Sequence, residues 1–533
     1  MGSKYTTPAI NIPGLKSASG LRHVQTYTRM AMSFYPHAND PFKPSRSTAP
    51  IHVLWDPKTS KASLLSFTWQ KRLGTPSGQW SCTIKDNSPY QLDLDKGDLL
   101  PDDWVDISMI RNGVVIPVCR GSIDTIRENT QSRGGATYRA WTIAGRDHGK
   151  FFEHPIGYQS LWVQTLGEIV QGFMTERVQG SIGGNPSTLF KVLIDGTLTR
   201  GSKGTLYTLP PGMTMSSGAT ATSSWLRSYT SNYGIRLPTG QNAALNDILE
   251  INNSSLTRGA YYNEAQMWHQ PSQNLYQALQ TWCNPLFNEL IFDLDYDSTY
   301  ASTGKANAKV AATIRERPFV LADADMAEVD LNSGKYINAG ISSAWFNLPT
   351  WDIPHWLVHN ADLGISGMER FNLIELLADI GFAGAQGEQT IMAPPSWDIE
   401  SIKKHGLRPL QESTNYVADG NKPQGAWAAT RKLWQNILTH WHCLDPYHRN
   451  GTVSLKIGMP EVRVGQRLRL NPGKVEDREQ MYVEGVDLNW IVGDQETPPG
   501  AHTNFAVTRG FIGSDRDLLS TTSRVAARYR SIT

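Results

Sequence analysis

Apolar and polar residues alternate in short stretches through the first third of the chain. His52-Val53-Leu54-Trp55 and Leu64-Leu65-Ser66-Phe67-Thr68-Trp69 are β-prone runs, and Gly78-Gln79-Trp80-Ser81-Cys82-Thr83-Ile84 repeats with period two. Further strands are predicted over Trp104 to Ile110, Val114 to Arg120 and Tyr138 to Ala144, with Asn112-Gly113 as a tight hairpin signal between the first two. Strands separated by turns, without helices between them, predict an antiparallel β-barrel over residues 51–150. Residues 1–50 mix Pro, Ser, Thr and Gly with few periodic apolar positions and read as an arm that orders only by lying on something else.

After Asp147 the period changes. Leu161, Leu166, Ile169, Val170, Phe173 and Met174 recur at spacings of three and four, predicting an amphipathic helix. Residues 178–270 are rich in Gly, Ser and Thr and read as a long insertion in an α/β domain covering 151–335. Ser272 is expected to cap a helix carrying Leu275, Leu279 and Trp282, ahead of strands at Glu289 to Leu294 and Val310 to Ile314. From 335 to 400 the pattern is irregular, with Pro349, Pro354, Pro394 and Pro395 as breakers and Leu373 to Ile380 open between helix and strand. A helix is predicted over 426–442, with Trp427, Trp434, Ile437, Leu438 and Trp441 on one core-facing stripe and Asn450-Gly451 as the turn that follows. Strands at Thr452 to Ile457, Arg463 to Leu470, Met481 to Ile491 and Asn504 to Phe511 complete a second barrel over 336–512, leaving 513–533 as a tail. The expected fold is β-rich α+β: two antiparallel barrels with an inserted α/β domain.

Length and charge narrow the function. At 533 residues the chain exceeds what one core supports, so several domains are expected. Lys and Arg total 50 against 49 Asp and Glu, which gives no electrostatic bias toward nucleic acid or an anionic membrane. Cys82, Cys119, Cys283 and Cys443 lie far apart, suggesting neither a disulfide framework nor a zinc ribbon, and the sequence carries no long apolar run or secretory leader. A protein made and kept inside a cell, with protein or glycan partners, is expected.

Several short strings, in order, resemble the baseplate hub proteins of contractile-tailed bacteriophages and related injection systems. They are Trp80 to Ile84 followed by Pro89-Tyr90, Arg111-Asn112-Gly113, Gly121-Ser122-Ile123-Asp124 and Ala144-Gly145-Arg146-Asp147. Next come Cys283-Asn284-Pro285-Leu286-Phe287-Asn288-Glu289-Leu290 and Arg315-Glu316-Arg317-Pro318-Phe319. Last are Lys404-His405-Gly406-Leu407-Arg408 with Thr414, Val464-Gly465-Gln466-Arg467-Leu468, Tyr482-Val483-Glu484-Gly485-Val486 with Trp490, and Val507-Thr508-Arg509-Gly510. The resemblance covers about residues 60–155 and 275–512.

The resemblance implies a non-enzymatic structural protein of the virion tail baseplate, assembled in the host cytoplasm, without cofactor or metal. It implies a homotrimer in which each subunit gives two similar, tail-tube-like barrels, so that three chains form an approximately sixfold ring. Such a ring joins the hexameric tail tube to a trimeric spike, nucleates the tube and leaves a bore for DNA ejection. Tube, spike, wedge and tape-measure proteins are the implied partners, with no sequence-specific nucleic acid and no membrane span. Obligate interfaces of this kind are expected to exceed roughly 2,000 Å². Interface or structural roles fall to Trp80, Arg146, Asp147, Asn288, Glu289, Arg317, Arg408, Glu484, Trp490 and Arg509. In the tail, Arg524 and Arg528 are expected either to dock on a spike or wedge partner or to fray with the terminus.

Other chemistry was weighed on the same residues. Asp293, Asp295 and Asp297 would share one face of a strand, but Ser298 and Gly304 stand where a calcium loop needs Gly and Glu, so a solvated strand end is expected. His440, His442, Cys443 and His448 cluster, yet only His440 and Cys443 fall on one helical face, which favours a helix C-terminus over zinc. No GxSxG, HExxH or GxxxxGKS string is present. Glu289 and Glu484, read together, could suggest an acid pair, but burial against Arg317 or Arg509 is expected. The rival functions are a tail-associated cell-wall hydrolase and a glycan-binding adhesin.

Overall fold

The computed structural model describes residues 28–36, 49–54, 64–85, 97–111, 113–133, 136–153, 249–253, 274, 276–277, 280, 285–296, 308–320, 328–329, 336–337, 344–378, 394–414, 424–471, 478–492 and 500–531. The helix expected around Leu161 to Met174, Cys283, Asp297, and all of 178–270 except one strand lie outside the described residues.

Among the described residues, those up to Glu153 supply seven strands: β1 (Arg29–Tyr35), β2 (Ile51–Leu54), β3 (Leu64–Arg72), β4 (Gln79–Lys85), β5 (Trp104–Arg111), β6 (Val114–Arg133) and β7 (Ala136–Asp147). Three strands follow as a small sheet: β8 (Leu249–Asn253) runs parallel to β10 (Ala308–Glu316), which pairs antiparallel with β9 (Asn288–Tyr296). β11 (Glu328–Val329) and β12 (Tyr336–Ile337) form a short ladder. The rest comprises β13 (Thr350–Pro354), β14 (Val358–Ile365), β15 (Leu373–Ala378), β16 (Ser396–Trp397), α1 (Ile399–His405), β17 (Pro409–Thr414), α2 (Gln424–His442), β18 (Arg449–Leu455), β19 (Arg467–Asn471), β20 (Glu479–Ile491), β21 (Gly500–Ile512) and α3 (Asp515–Ala526).

One 13-stranded sheet runs through both strand clusters, in the order β14-β18-β21-β20-β3-β4-β7-β6-β5-β1-β2, with β19 on β20 and β13 on β19. The clusters meet where β3 pairs antiparallel with β20, Trp69 opposite Leu488 and Phe67 opposite Trp490. Alternation places Phe67, Trp69, Trp80, Leu488 and Trp490 in one continuous core, all 2% exposed or less.

The two halves repeat one strand order. β3-β4-β7-β6-β5-β1 in the first matches β14-β18-β21-β20-β19-β13 in the second, and each series takes its strands in the same relative chain order. The registers agree as well. Ser81 opposite Ala144 corresponds to Thr452 opposite Ala506, and the irregularity between Leu64 and Ser66 corresponds to that between Val358 and Asn360. A second irregularity, between Ile123 and Thr125, corresponds to that between Val483 and Gly485. An extra residue bends a strand locally, so matching bulges give matching bends. The outermost pairs differ, β1 on β5 being antiparallel and β13 on β19 parallel.

Elements inserted between β14 and β18 build a second core together with residues flanking β9 and β10. Here α2 lays Trp434, Ile437, Leu438 and Trp441 against Ile374, Leu376, Phe287 and Phe319, with the Phe287 and Trp434 rings 4.0 Å apart.

Several expectations are corrected. Residues 29–35 of the predicted arm form β1, buried between β2 and β5 because Met30, Met32 and Phe34 alternate inward. The irregular stretch 335–400 holds β13, β14 and β15, and Leu373 to Ala378 is strand. Asn450-Gly451 lies inside β18, where a register shift between Arg449 and Gly451 absorbs the residues expected to turn. Ser272 lies outside the described residues; the capping pair present is Asn274 with Gln277, each side chain accepting from the other's main-chain N–H at 2.8 and 3.1 Å. The tail is a helix, α3, started by a Ser514/Asp517 capping box and held by buried Leu518 and Ala526.

Candidate functional site

The buried charges gather where the two halves and the small sheet meet. The turn segment between β18 and β19 supplies two of them, Glu461 and Arg463, with Val462 and Val464 buried beside them. Arg463, 2% exposed, donates to Asp293 Oδ1 at 3.2 Å, the Val118 carbonyl at 2.8 Å, the Pro117 carbonyl at 3.2 Å and Tyr296 Oη at 2.8 Å. Its guanidinium lies 4.8 Å from the Trp69 ring centroid. Burial pushes the Tyr296 phenol up to about 12, so it stays neutral. Two residues earlier, Glu461 pairs with Arg111, whose Nη1 also donates to the Gly458 carbonyl at 2.7 Å; both side chains are buried.

Beside these, Glu289 accepts from Arg315 Nε at 3.0 Å and from Tyr482 Oη at 2.7 Å, while Arg315 also donates to the Gly465 carbonyl. Burial and the Glu289 charge raise the Tyr482 phenol well above its usual range. Asp147 accepts from Lys71 Nζ at 3.0 Å and from the Gly78 and Gly149 N–H groups; burial nevertheless raises its carboxyl. These pairs tie together segments far apart in sequence. Breaking a buried pair leaves an uncompensated charge at a cost of about 3–5 kcal/mol.

The predicted residues divide accordingly. Trp80 and Trp490 are core, Trp490 donating to the Thr28 carbonyl at 3.1 Å. Arg146 pairs with Asp124 at 2.7 Å and with Glu153, and Asp147 with Lys71. Asn288 is buried at the start of β9. The expected partner of Glu289 is corrected from Arg317 or Arg509 to Arg315, because the β9–β10 register sets Arg315 directly opposite it. Glu484 does not meet Glu289: it is exposed at the β20 bulge and accepts from Thr508 Oγ1 at 2.9 Å. Arg317 is half-buried, and Arg408 is exposed, bonding the Gly367 carbonyl at 2.6 Å. Arg509 lies 3.4 Å from the Trp441 ring centroid and donates to the Trp441 carbonyl and to Asp445, in a left-handed conformation with φ 56°. Arg524 is exposed on α3, and Arg528 pairs with Asp398 at 2.9 Å, so the tail docks on its own chain.

One chemical candidate resolves differently from expectation. Asp293 is not at a solvated strand end but buried against Arg463. In the His/Cys cluster, His442 and His448 flank Asp445, while burial raises the Cys443 thiol; among the described residues no group of three such side chains is placed to hold a metal. Sequence reasoning missed Lys71, Arg111, Glu461, Arg463 and Arg467. The one signal available was a charged residue standing at an inward position of an alternating run.

The equivalent strands differ in exposure. β3 and the second half of β20, which pair with each other, alternate between buried and part-exposed positions. Their counterparts, β14 and residues 124–130 of β6, are exposed or part-exposed on both faces. Among the described residues β14 pairs only with β18, and β6 beyond Ile123 only with β7. Among the described residues, the outer side of each therefore has no strand laddered onto it.

No family model matches the chain, and no curated protein matches it. Among solved structures, a tail protein from Neisseria meningitidis is 11% identical, over 90% of this chain and 96% of that one, with a TM-score of 0.40. The 43 kDa tail protein of prophage MuSo2 from Shewanella oneidensis is 11% identical over 92% and 98%, with a TM-score of 0.39. An E. coli component of the type VI secretion system is 8% identical over 85% and 74%, with a TM-score of 0.33.

Proposed function

We propose that this chain is a structural subunit of a phage-type tail, a central baseplate hub whose copies join head to tail into a homotrimeric, pseudo-sixfold ring between tail tube and spike. The bore of the ring passes DNA at ejection, and its upper face nucleates the tube. The observation that carries this reading is the pair of exposed strands. Within one chain β3 lies against β20; the repeated order makes β14 the counterpart of β3, and β6 beyond its bulge the counterpart of β20. A second copy can thus repeat between chains the junction already made within one. That contact is heterologous, and a heterologous contact whose rotation closes gives a ring. With two strand clusters per chain, three chains supply six.

The correspondence fixes a register. Asn489 opposite Thr68 translates to Asn129 opposite Asp362 of the next copy, and Val486 opposite Lys71 translates to Ile126 opposite Ile365. The test is a cysteine pair, Asn129→Cys with Asp362→Cys, in a background where Cys82, Cys119 and Cys443 are buried. Directly opposed positions lie within the roughly 4.4–6.8 Å Cα range of a disulfide. Oxidation should give closed trimers on a non-reducing gel, while Asn129→Cys with Ile365→Cys, three residues out of register, should not. A chain that stays monomeric by light scattering, alone and with a spike protein, and never cross-links would overturn the proposal.

A further inference from the structure

Away from the strands of the proposed ring, an open trough of about 500 Å³ lies between α1, the Pro446-Tyr447 turn and the end of α3. Its carboxylates are already engaged. Asp398 caps α1 through the Ser401 N–H at 3.2 Å and holds Arg528 at 2.9 Å, and Glu400 faces Lys403 at 3.5 Å. Arg370 and Lys404 stand on the wall without a carboxylate partner among the described residues. Aromatic surface lies beside these charges. Phe371 and Tyr529 line it, Tyr447 is 50% exposed, and Leu407 beyond α1 is 61% exposed. An exposed aromatic ring, Tyr447, beside uncompensated cations marks a recognition surface rather than a solvated face.

We infer that this trough docks an acidic peptide segment of a partner protein, its carboxylates on Arg370 and Lys404 and an apolar side chain against Tyr447 and Phe371. The chemistry separates this occupant from other anions. A nucleic-acid strand carries charge at every phosphate and would pass over Asp398 and Glu400 as well as the cations, whereas a peptide can space its carboxylates. A free phosphate would use the cations alone and leave the exposed Tyr447 ring beside them without a partner. The volume matches a few side chains rather than one small ion. The inference does not depend on ring formation.

The test is fluorescence anisotropy of the full-length chain with a fluorescein-labelled peptide of Glu and Gly carrying one central Phe, at low and physiological salt. Saturable binding that weakens about tenfold or more in Arg370→Glu/Lys404→Glu is expected, with stronger binding at low salt. Tyr447→Ala should weaken the Phe peptide several-fold and leave its Phe-to-Gly version unchanged. These side chains lie on the surface, so circular dichroism should match the parent; if the double variant misfolds, the Tyr447→Ala comparison decides alone. No saturable binding, equal binding by a Lys/Gly/Phe peptide, equal loss of both peptides in Tyr447→Ala, or displacement by oligothymidine or inorganic phosphate at lower concentration than unlabelled peptide would each overturn the inference.

Discussion

Arg463→Ala is the substitution that bears most directly on how this chain holds together. It strips Asp293 of its cation, removes the 2.8 Å donor to the Val118 carbonyl and leaves a gap beneath Trp69. The Pro117 carbonyl keeps the Tyr296 hydroxyl as a donor, so it is not orphaned. A buried ion pair broken from one side costs about 3–5 kcal/mol, and an unsatisfied carbonyl about 1–3 kcal/mol more. These terms overlap, so a loss of about 5 kcal/mol is expected. It should fall on β6, β9 and the β18–β19 connection together. Urea unfolding followed by tryptophan fluorescence reports the Trp69 environment, and hydrogen exchange over 114–123 and 288–296 localises the loss. Arg463→Met with Asp293→Leu, which removes both charges, should recover most of the stability lost in Arg463→Met alone. Exchange in Arg463→Ala within about 1 kcal/mol of the parent, or a double variant no better than the single, would refute the argument.

Burial and the neighbouring Lys71 charge push His148 down to about 3. Its folded value thus lies below the unfolded one, so stability is complete above the unfolded pKa of about 6.5 and is lost as pH falls from there toward 3, by up to about 1.4 kcal/mol per pH unit; His148→Phe should flatten the urea-midpoint profile between pH 6 and 4. Gly145→Ala would set a Cβ 2.0 Å from the Ser122 carbonyl and 2.7 Å from the Trp80 ring, so soluble yield and melting temperature should fall sharply, whereas Gly113→Ala meets no atom and costs only the strain of φ 78°. Ser514→Ala removes the α3 cap, and faster exchange across 515–520 by a factor corresponding to about 1 kcal/mol is expected.

What the sequence made legible follows from the range of the interactions involved. Alternation is local, so β3 to β7, β18, β20 and β21 were readable from their own residues, as was α2 from its stripe. β14 was not, because a strand exposed on both faces carries no alternation to read. The partner of Glu289 was missed for the opposite reason: Arg315 becomes its neighbour only through the β9–β10 register. The internal repeat was hidden because equivalent positions share strand order and register more than identity or burial. Trp69 corresponds to Leu363 and Phe67 to Ala361, while the pairs that keep their chemistry include Ala144 with Ala506, Asn129 with Asn489 and, at the bulge, Asp124 with Glu484. Even there the contact is conserved in geometry alone, since Asp124 bonds Arg146 and Glu484 bonds Thr508 at the equivalent place.

The difference between the two junctions has a physical consequence for assembly. Within the chain, β3 and β20 join through Phe67, Trp69, Leu488 and Trp490, a seam formed during folding and never seen by solvent. The counterpart strands carry Asn129, Arg127, Asp362 and Gly364, because a chain must stay soluble before it meets its neighbours, and an apolar free edge would template aggregation. A polar seam takes its specificity from the ladder and from charge. In the proposed register Arg127 lies diagonal to Asp362, within reach across the strands, as Arg72 lies diagonal to Asp487 within the chain, where the two form a 2.6 Å ion pair. Such cross-strand pairs contribute about 0.2–1 kcal/mol each, and three equivalent interfaces triple the effect in a closed ring. Asp362→Lys should therefore shift the assembly equilibrium toward monomer by light scattering, and adding Arg127→Glu should restore it. If the second substitution deepens the defect, the two side chains do not meet and the register is wrong.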